Sequence, residues 1–204
     1  MAVNQVNRKI ILRFIILIIT GILIEIGAVY LLDGIMNMLP GMEEINDSYS
    51  EVIDTLTVLE PKMIMQVIVV SPVLEEAVFR FSFIGLGLKL IGNLKKGSRE
   101  IVNFWILNVI SSIFFALYHG NIIQGSYAFL LGLLLGYIYY YLGKYLASLT
   151  VHMIINTSGL YLVPYLPSEM SDPLKIVIGT IVMLICLVTV KLLKEYIHKC
   201  DPEC

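Results

Sequence analysis

Charged residues are scarce in this sequence: only 15% of its 204 residues are Asp, Glu, Lys or Arg, whereas 58% are hydrophobic. A soluble domain typically carries about 25% charged and about 45–50% apolar residues. This composition excludes an intrinsically disordered chain, and a formal net charge of −2 provides no basic surface for nucleic acid. The mean hydropathy of +0.85 indicates a membrane protein of several helices, which we read as one membrane domain over residues 1–204.

Cysteine is also scarce, and its three positions fit no reactive or metal-binding pattern. Cys186 lies inside a hydrophobic run, while Cys200 and Cys204 belong to the segment Cys-Asp-Pro-Glu-Cys. Their spacing is not the C-x-x-C of a redox or zinc site. A prenylation signal would need cysteine where Asp201 stands. No disulfide compartment follows, and the sequence also lacks the zinc motif H-E-x-x-H.

Six hydrophobic runs approach the roughly 20 residues that an α-helix needs to cross a bilayer. They are Ile10–Leu32, Met63–Leu90, Ile101–Tyr118, Ile122–Leu142, Tyr145–Tyr165 and Leu174–Leu193. The sequence therefore predicts an all-α fold, a polytopic membrane helix bundle with about six transmembrane helices.

Basic and acidic residues alternate between the segments that join these runs. The cations lie around the start of the first run and around the ends of the second, fourth and sixth: Arg8, Lys9, Arg13, Lys89, Lys95, Lys96, Arg99, Lys144, Lys191, Lys194 and Lys199. The other segments are acidic, and the longest of them, residues 33–60, reads as a solvated outer loop rather than a substrate lid. Because positive charge marks the cytoplasmic side, we predict a multi-pass cell-membrane protein with both termini in the cytoplasm.

Besides Glu25 in the first run, charged and strongly polar side chains occur inside the second, third and fifth hydrophobic runs or at their ends. In chain order they are Glu75, Glu76, Arg80, His119, His152 and Asn156. An ionisable residue at mid-membrane costs roughly 2.5–3.5 kcal/mol on insertion scales, so such residues are functional candidates by default.

Helical spacing sorts the three charges of the second run. Glu76 and Arg80 are four residues apart, so they share a face and can neutralise each other. Glu75 points about 100° away from Glu76 and has no partner in its own helix.

The other polar residues show the same spacing. His119 follows Phe115 by four residues, and Asn156 follows His152 by four residues, so each pair shares a helix face. One carboxylate, two imidazoles and one carboxamide could thus meet in the bundle core. A carboxylate among aliphatic side chains is a stronger base than one in water, and an imidazole can help to deprotonate a water molecule. A second imidazole and an amide N–H can stabilise an oxyanion. Because Glu and His also bind zinc, the set suits peptide-bond hydrolysis, either direct or metal-assisted.

Taken singly, these residues have ordinary structural explanations. Glu76 and Arg80 alone would more often be a structural ion pair, His119 an interfacial residue and Asn156 a donor between helices. Glu25 in the first run is unassigned, either a polar core contact or part of a cavity. The fourth run carries a stripe of small residues that favours close helix packing over an oligomer interface. Its members are Ala128, Gly132 and Gly136.

The three polar motifs together resemble the signatures of the CPBP intramembrane proteases, the CAAX-protease and bacteriocin-processing family. The matching segments, in the family's order, are Glu75-Glu76-x-x-x-Arg80, Phe115-x-x-x-His119 and His152-x-x-x-Asn156. The resemblance covers about residues 63–160, half of the chain.

This resemblance implies a helical membrane fold with a polar cavity inside the bilayer, and an intramembrane endopeptidase activity. By position, Glu75 would be the general base, and His119 would help to bind and activate the water. His152 and Asn156 would form the oxyanion site. The supporting residues would be Glu76, Arg80 and Phe115.

The family is described both as metalloproteases and as glutamate-activated hydrolases, so zinc is the candidate metal, and we favour the metal-free alternative. The implied substrate is a peptide or a membrane-associated or lipid-modified protein, in bacterial peptide processing or bacteriocin self-immunity. A non-catalytic membrane scaffold or immunity protein of the same family is the main alternative, although every signature residue is retained. A proton-coupled transporter is a third hypothesis, and we find no inverted repeat to support it.

Two details of the resemblance depend on how the helices pack. Phe81 follows Arg80 where the family often has Gly, which questions the packing at that point. His119 would also lie near the outer face, whereas His152 would lie deeper. Either the third helix extends past Gly120, or helix tilt and an inward cavity bring both histidines to one depth.

Overall fold

The computed structural model of the chain describes residues 2–42, 60–94, 100–142, 145–167 and 169–200. These residues contain six helical rods and no β-strand, which confirms the all-α fold. The rods are α1 Ala2–Asn37, α2 over residues 61–94, α3 Glu100–Tyr118, α4 Ile122–Leu142, α5 Tyr145–Tyr161 and α6 Asp172–Cys200. A short 3₁₀ turn, Val163–Tyr165, follows α5.

Several features named from the sequence lie outside the described residues or have side chains that are not described. They are residues 43–59 of the acidic segment, Lys95, Lys96, Arg99, Lys144 and Cys204, and the side chains of Arg8, Lys9, Lys199 and Cys200.

Four helices of the described chain are long and apolar enough to cross a membrane. Their spans are Ile10–Asn37, Glu100–Tyr118, Ile122–Leu142 and Asp172–Tyr196. Large apolar side chains such as Phe14, Leu117 and Leu184 point away from the bundle, as expected where lipid covers the protein. These features confirm a membrane helix bundle. The count of six spans stays a prediction, because α2 is interrupted and α5 has 17 residues.

Close helix packing joins the first and last helices of the bundle. A Cβ atom at Gly179 of α6 would lie 2.7 Å from the carbonyl oxygen of Gly27 in α1, so only glycine fits there. Near the same crossing, Lys175 Nζ lies 2.7 Å from an oxygen of Asp33. The apolar core between α1, α4, α5 and α6 includes Ile24, Leu135, Val151, Ile155 and Cys186.

The small-residue stripe of α4 packs against α3 of the same chain. A Cβ atom at Gly136 would overlap the side chain of Asn108, and one at Gly132 would lie 2.9 Å from the Cβ of Ser112. Asn108 also donates a hydrogen bond from Nδ2 to the carbonyl oxygen of Leu133, at 3.0 Å. The stripe therefore serves the packing role that the sequence favoured.

Helix α2 changes its hydrogen-bond register along its length. Its segments are α-helical Pro61–Met65, π-helical Gln66–Val70, α-helical Ser71–Glu75, π-helical Glu76–Leu86 and α-helical Gly87–Leu94. Pro61 takes the first turn, where a missing N–H costs nothing, but Pro72 lies in the middle of the rod. π-Helical turns are rare and are frequently found at functional sites.

Candidate functional site

The predicted pair of Glu76 and Arg80 is present and fully buried. Arg80 Nε lies 3.4 Å from Glu76 Oε1, and both side chains are 0% exposed. The guanidinium carbon of Arg80 also lies 4.5 Å from the centre of the Phe115 ring, in cation–π geometry. Within the described residues, Nη1 and Nη2 of Arg80 have no hydrogen-bond partner. The positive charge of the buried guanidinium is therefore stabilised mainly by Glu76 and the Phe115 ring.

His152 on α5 lies between the two consecutive glutamates of α2. Its Nδ1 is 2.9 Å from Glu76 Oε1, and its Nε2 is 3.5 Å from Glu75 Oε2. A carboxylate can only accept, so Nδ1 carries a hydrogen and donates it to Glu76. Glu75 thus has a partner on a different helix, which spacing within α2 could not indicate. The resulting chain of contacts runs from Glu75 through His152 and Glu76 to Arg80.

The ring of Phe115 on α3 connects the three sequence motifs. Its centre lies 4.8 Å from that of His119 and 6.0 Å from that of His152, in both cases edge to face. Phe79 of α2 packs on the same ring at 5.1 Å. Phe115 itself is 2% exposed, so it is the apolar centre around which the polar groups are arranged.

His119 follows the last residue of α3, and one of the two explanations for its depth is wrong. Gly120 has a φ of +76°, a left-handed conformation that ends the helix, so α3 does not extend past it. His119 Nδ1 lies 2.8 Å from the carbonyl oxygen of Phe115 and must donate to it, which leaves Nε2 as an acceptor. In the described part of the chain, His119 approaches the cluster through the Phe115 ring and no hydrogen bond joins it to Glu75 or His152.

Asn156 lies one helical turn beyond His152 and is hydrogen-bonded to α2. Its Nδ2 donates to the carbonyl oxygen of Val67 at 2.8 Å. This contact between helices is the ordinary structural alternative that the sequence analysis named for Asn156. The amide has two N–H groups, so one remains for another acceptor.

Two hydroxyl groups that sequence reasoning missed also satisfy carbonyl oxygens of α2. Ser111 Oγ donates to Phe79 and Tyr145 OH donates to Val73, each at 2.8 Å. Hydroxyl groups are common in apolar runs, so no pattern in the sequence distinguishes these two. Together with Asn156, they hold an irregular helix in place around the glutamates.

Two open questions from the sequence are answered by position. Glu25 is 4% exposed and accepts a hydrogen bond from the hydroxyl of Tyr127 on α4, so it makes a polar contact in the core. Phe81 is 50% exposed and points away from the bundle. A glycine is therefore not required after Arg80 for close packing.

The described side chains do not fit a bound zinc ion. No group of three or more His, Cys, Asp or Glu in the described ranges is arranged to hold a metal.

An apolar groove of about 710 Å³ opens beside the end of α3. Side chains from the ends of α1, α3 and α4 line it, including Leu31, Met36, Leu117 and Phe129. Gly120, the residue after His119, is part of its wall, although His119 itself does not line the groove.

Fold and site together define a membrane helix bundle with a buried cluster of carboxylate, imidazole and guanidinium groups. A family model described as type II CAAX prenyl endopeptidase Rce1-like matches residues 57–158. The match covers half of the chain and every residue of the cluster, and the chain belongs to this family. Neither a curated protein nor a solved structure matches the chain. The resemblance drawn from the three motifs is confirmed, and membership implies a CAAX-protease-like endopeptidase.

Proposed function

We propose that the chain is an intramembrane endopeptidase that hydrolyses its substrate with a water molecule activated by Glu75. The observation that carries this proposal is the imidazole of His152, held between the carboxylates of Glu75 and Glu76 in the family-matched segment. A carboxylate that faces an oriented imidazole, while a second carboxylate is neutralised by Arg80, is an arrangement suited to proton transfer.

The contacts of the two glutamates support different roles for them, with Glu76 in the ion pair and Glu75 as the base. With Glu76 paired to Arg80, Glu75 is the partly exposed carboxylate that faces the imidazole of His152. To act as an oxyanion donor, His152 must carry a hydrogen on Nε2 as well as on Nδ1. Its Nδ1–H is then held by Glu76, and its Nε2–H faces Glu75 until Glu75 takes the proton from water, when it can donate to the developing oxyanion.

In the proposed reaction, Glu75 takes a proton from water as the water oxygen attacks the substrate carbonyl carbon. Nε2 of His119 is free to accept the second hydrogen of that water, because Nδ1 is bonded to Phe115. The carbonyl π electrons move to the oxygen, where His152 and Asn156 donate hydrogen bonds. When the C–N bond breaks, the proton held by Glu75 passes to the leaving nitrogen.

The substrate that we propose is a peptide or a membrane-associated or lipid-modified protein. The apolar groove beside His119 supports a hydrophobic substrate, because it offers an apolar surface at the turn where the catalytic histidine lies. We further propose a role in bacterial peptide processing or bacteriocin self-immunity.

Comparative peptidomics tests the function directly. Membrane and secreted fractions are compared from cells that express the wild type, Glu75→Gln or His119→Ala at equal levels. We expect at least one peptide or protein terminus to be lost in both variants, because each removes a group that acts on the water.

Glu169→Gln is the matched control, since Glu169 is exposed and far from α2 in sequence. It should leave the peptide profile unchanged. If Glu75→Gln also leaves the profile unchanged while deletion of the gene has an effect, the protein is a non-catalytic scaffold or immunity protein instead.

A further inference from the structure

Pro72 interrupts the hydrogen-bond ladder of α2 three residues before Glu75. In the π-helical turn that precedes it, the N–H of Ser71 bonds to the carbonyl oxygen of Gln66, five residues back. In this register, the next donor along the chain would be residue 72 and the next acceptor Val67. Proline has no N–H, so the ladder supplies no donor to Val67 at this step.

Asn156 fills this gap from the neighbouring helix. Its Nδ2 lies 2.8 Å from the carbonyl oxygen of Val67. An unsatisfied carbonyl inside a membrane bundle would be costly, so the bond satisfies the acceptor that Pro72 leaves open. It also fixes the plane of the Asn156 amide, since one of its two N–H groups now has a defined partner.

We propose that Pro72 is a positioning residue of the hydrolytic site, which acts through Val67 and Asn156. By withholding its own N–H, Pro72 leaves Val67 as the acceptor for one N–H of Asn156. The second N–H of the same planar amide is thereby held in one direction, one helical turn from His152, as a donor to the oxyanion. This inference rests on the proposed function for the role of the second N–H, but the link between Pro72 and Asn156 stands on geometry alone.

The variant that tests this link is Pro72→Ala, which gives residue 72 an N–H that can bond to Val67 and release Asn156. Pro72→Ser supplies the same N–H and serves if the alanine variant does not fold. Pro164→Ala is the matched control, because Pro164 is an exposed proline in the 3₁₀ turn after α5. Asn156→Ala and the double variant with Pro72→Ala complete a cycle.

The first readout is the unfolding temperature of the full chain in detergent micelles, which does not depend on activity. Asn156→Ala should lower it by about 2–4 °C in the wild-type background, the shift expected for one hydrogen bond. It should lower it by much less in the Pro72→Ala background, because residue 72 then satisfies Val67. An equal loss in both backgrounds, or none in either, overturns the proposed link.

The second readout is the split between kcat and KM on the substrate found by peptidomics. Pro72→Ala should lower kcat by about tenfold or more, towards the roughly 100-fold that loss of one oxyanion donor costs. KM should stay within about twofold, because the donor acts only in the transition state. Pro164→Ala should change neither constant.

The two proposals fail in different ways. If the wild type is active, Glu75→Gln is inactive and Pro72→Ala keeps the wild-type kcat, the positioning role is wrong while the function stands. If the wild type and Glu75→Gln give the same peptide profile, the proposed function is wrong. The temperature cycle then still decides whether Pro72 sets the partner of Asn156.

Discussion

Two contacts of Glu76 converge on one of its oxygen atoms. Oε1 lies 2.9 Å from Nδ1 of His152 and 3.4 Å from Nε of Arg80. At the residue scale, the Glu76 carboxylate therefore neutralises the charge of Arg80 and also orients the imidazole of His152. These contacts suit a structural and positional role, whereas Glu75, with 11% of its side chain exposed, is the carboxylate that we propose acts on water.

Removing the charge of Glu76 should destabilise the protein strongly. Glu76→Gln leaves the fully buried guanidinium of Arg80 without its counter-ion, and breaking one side of a buried pair costs about 3–5 kcal/mol. The glutamine oxygen can still accept from His152, so the shape of the site is retained. Thermal unfolding in detergent should therefore show a clearly lower midpoint for this variant.

Glu75→Gln is the control for this measurement of stability. Glu75 is partly exposed and lies 3.5 Å from its partner, so its replacement should cost far less stability. A double variant, Glu76→Leu with Arg80→Met, should recover part of the loss because no unpaired charge remains. Equal destabilisation by Glu75→Gln and Glu76→Gln would contradict the assignment of the ion pair to Glu76.

The contacts predicted from the sequence are those within one helix. Glu76 and Arg80 could be paired by their spacing because both belong to α2. The approach of Glu75 to His152 could not, since it depends on how α5 rotates against α2. A donor role between helices was one interpretation of Asn156, but its partner Val67 could not be predicted, because that acceptor is left open by a change of helical register that no spacing rule reports.

At the element scale, α2 is the irregular helix and its neighbours are regular. The sequence predicted its position closely, as a run from Met63 to Leu90 against a rod over residues 61–94. It did not predict the two π-helical segments. Side chains from α3 and α5 satisfy carbonyl oxygens along this rod, so the packing of its neighbours determines its shape.

The contact between α3 and α4 provides a prediction at this scale. Gly136→Ala would place a methyl group on the side chain of Asn108, which is fully buried. Overpacking of this kind costs about 1–3 kcal/mol, so the unfolding midpoint should fall. Gly92→Ala on α2 is the control, because nothing lies within 4 Å of a Cβ atom there.

The same pair of variants separates packing within the chain from an oligomer interface. The control should be neutral or slightly stabilising, since alanine favours helices by up to about 1 kcal/mol over glycine. If Gly136→Ala left the midpoint unchanged and altered only the oligomeric mass in detergent, the stripe would be an interface between chains.

At the scale of the whole molecule, two helices outside the family-matched segment pack against it. The match covers residues 57–158, whereas α1 and α6 pack against each other at Gly27 and Gly179. No signature of the family lies in these two helices, and their contribution is apolar packing together with the ion pair of Asp33 and Lys175. Helix α1 packs against α4 and α5, whereas α6 packs against α1 and α4.

The orientation of this bundle is the last prediction, and the chain's own cysteines help to test it. Since positive charge favours the cytoplasmic side, Cys204 should lie inside and the acidic turn before α6 outside. We expect a membrane-impermeant maleimide to label Glu169→Cys in intact cells, in a variant that also carries Cys200→Ser. Cys204 should react only after permeabilisation.

Cys186 is 1% exposed and should stay unlabelled throughout, so it does not disturb the assay. If Cys204 reacted in intact cells and Glu169→Cys only after permeabilisation, the topology would be the opposite of the predicted one. Labelling of both positions from outside would mean that α6 does not cross the membrane.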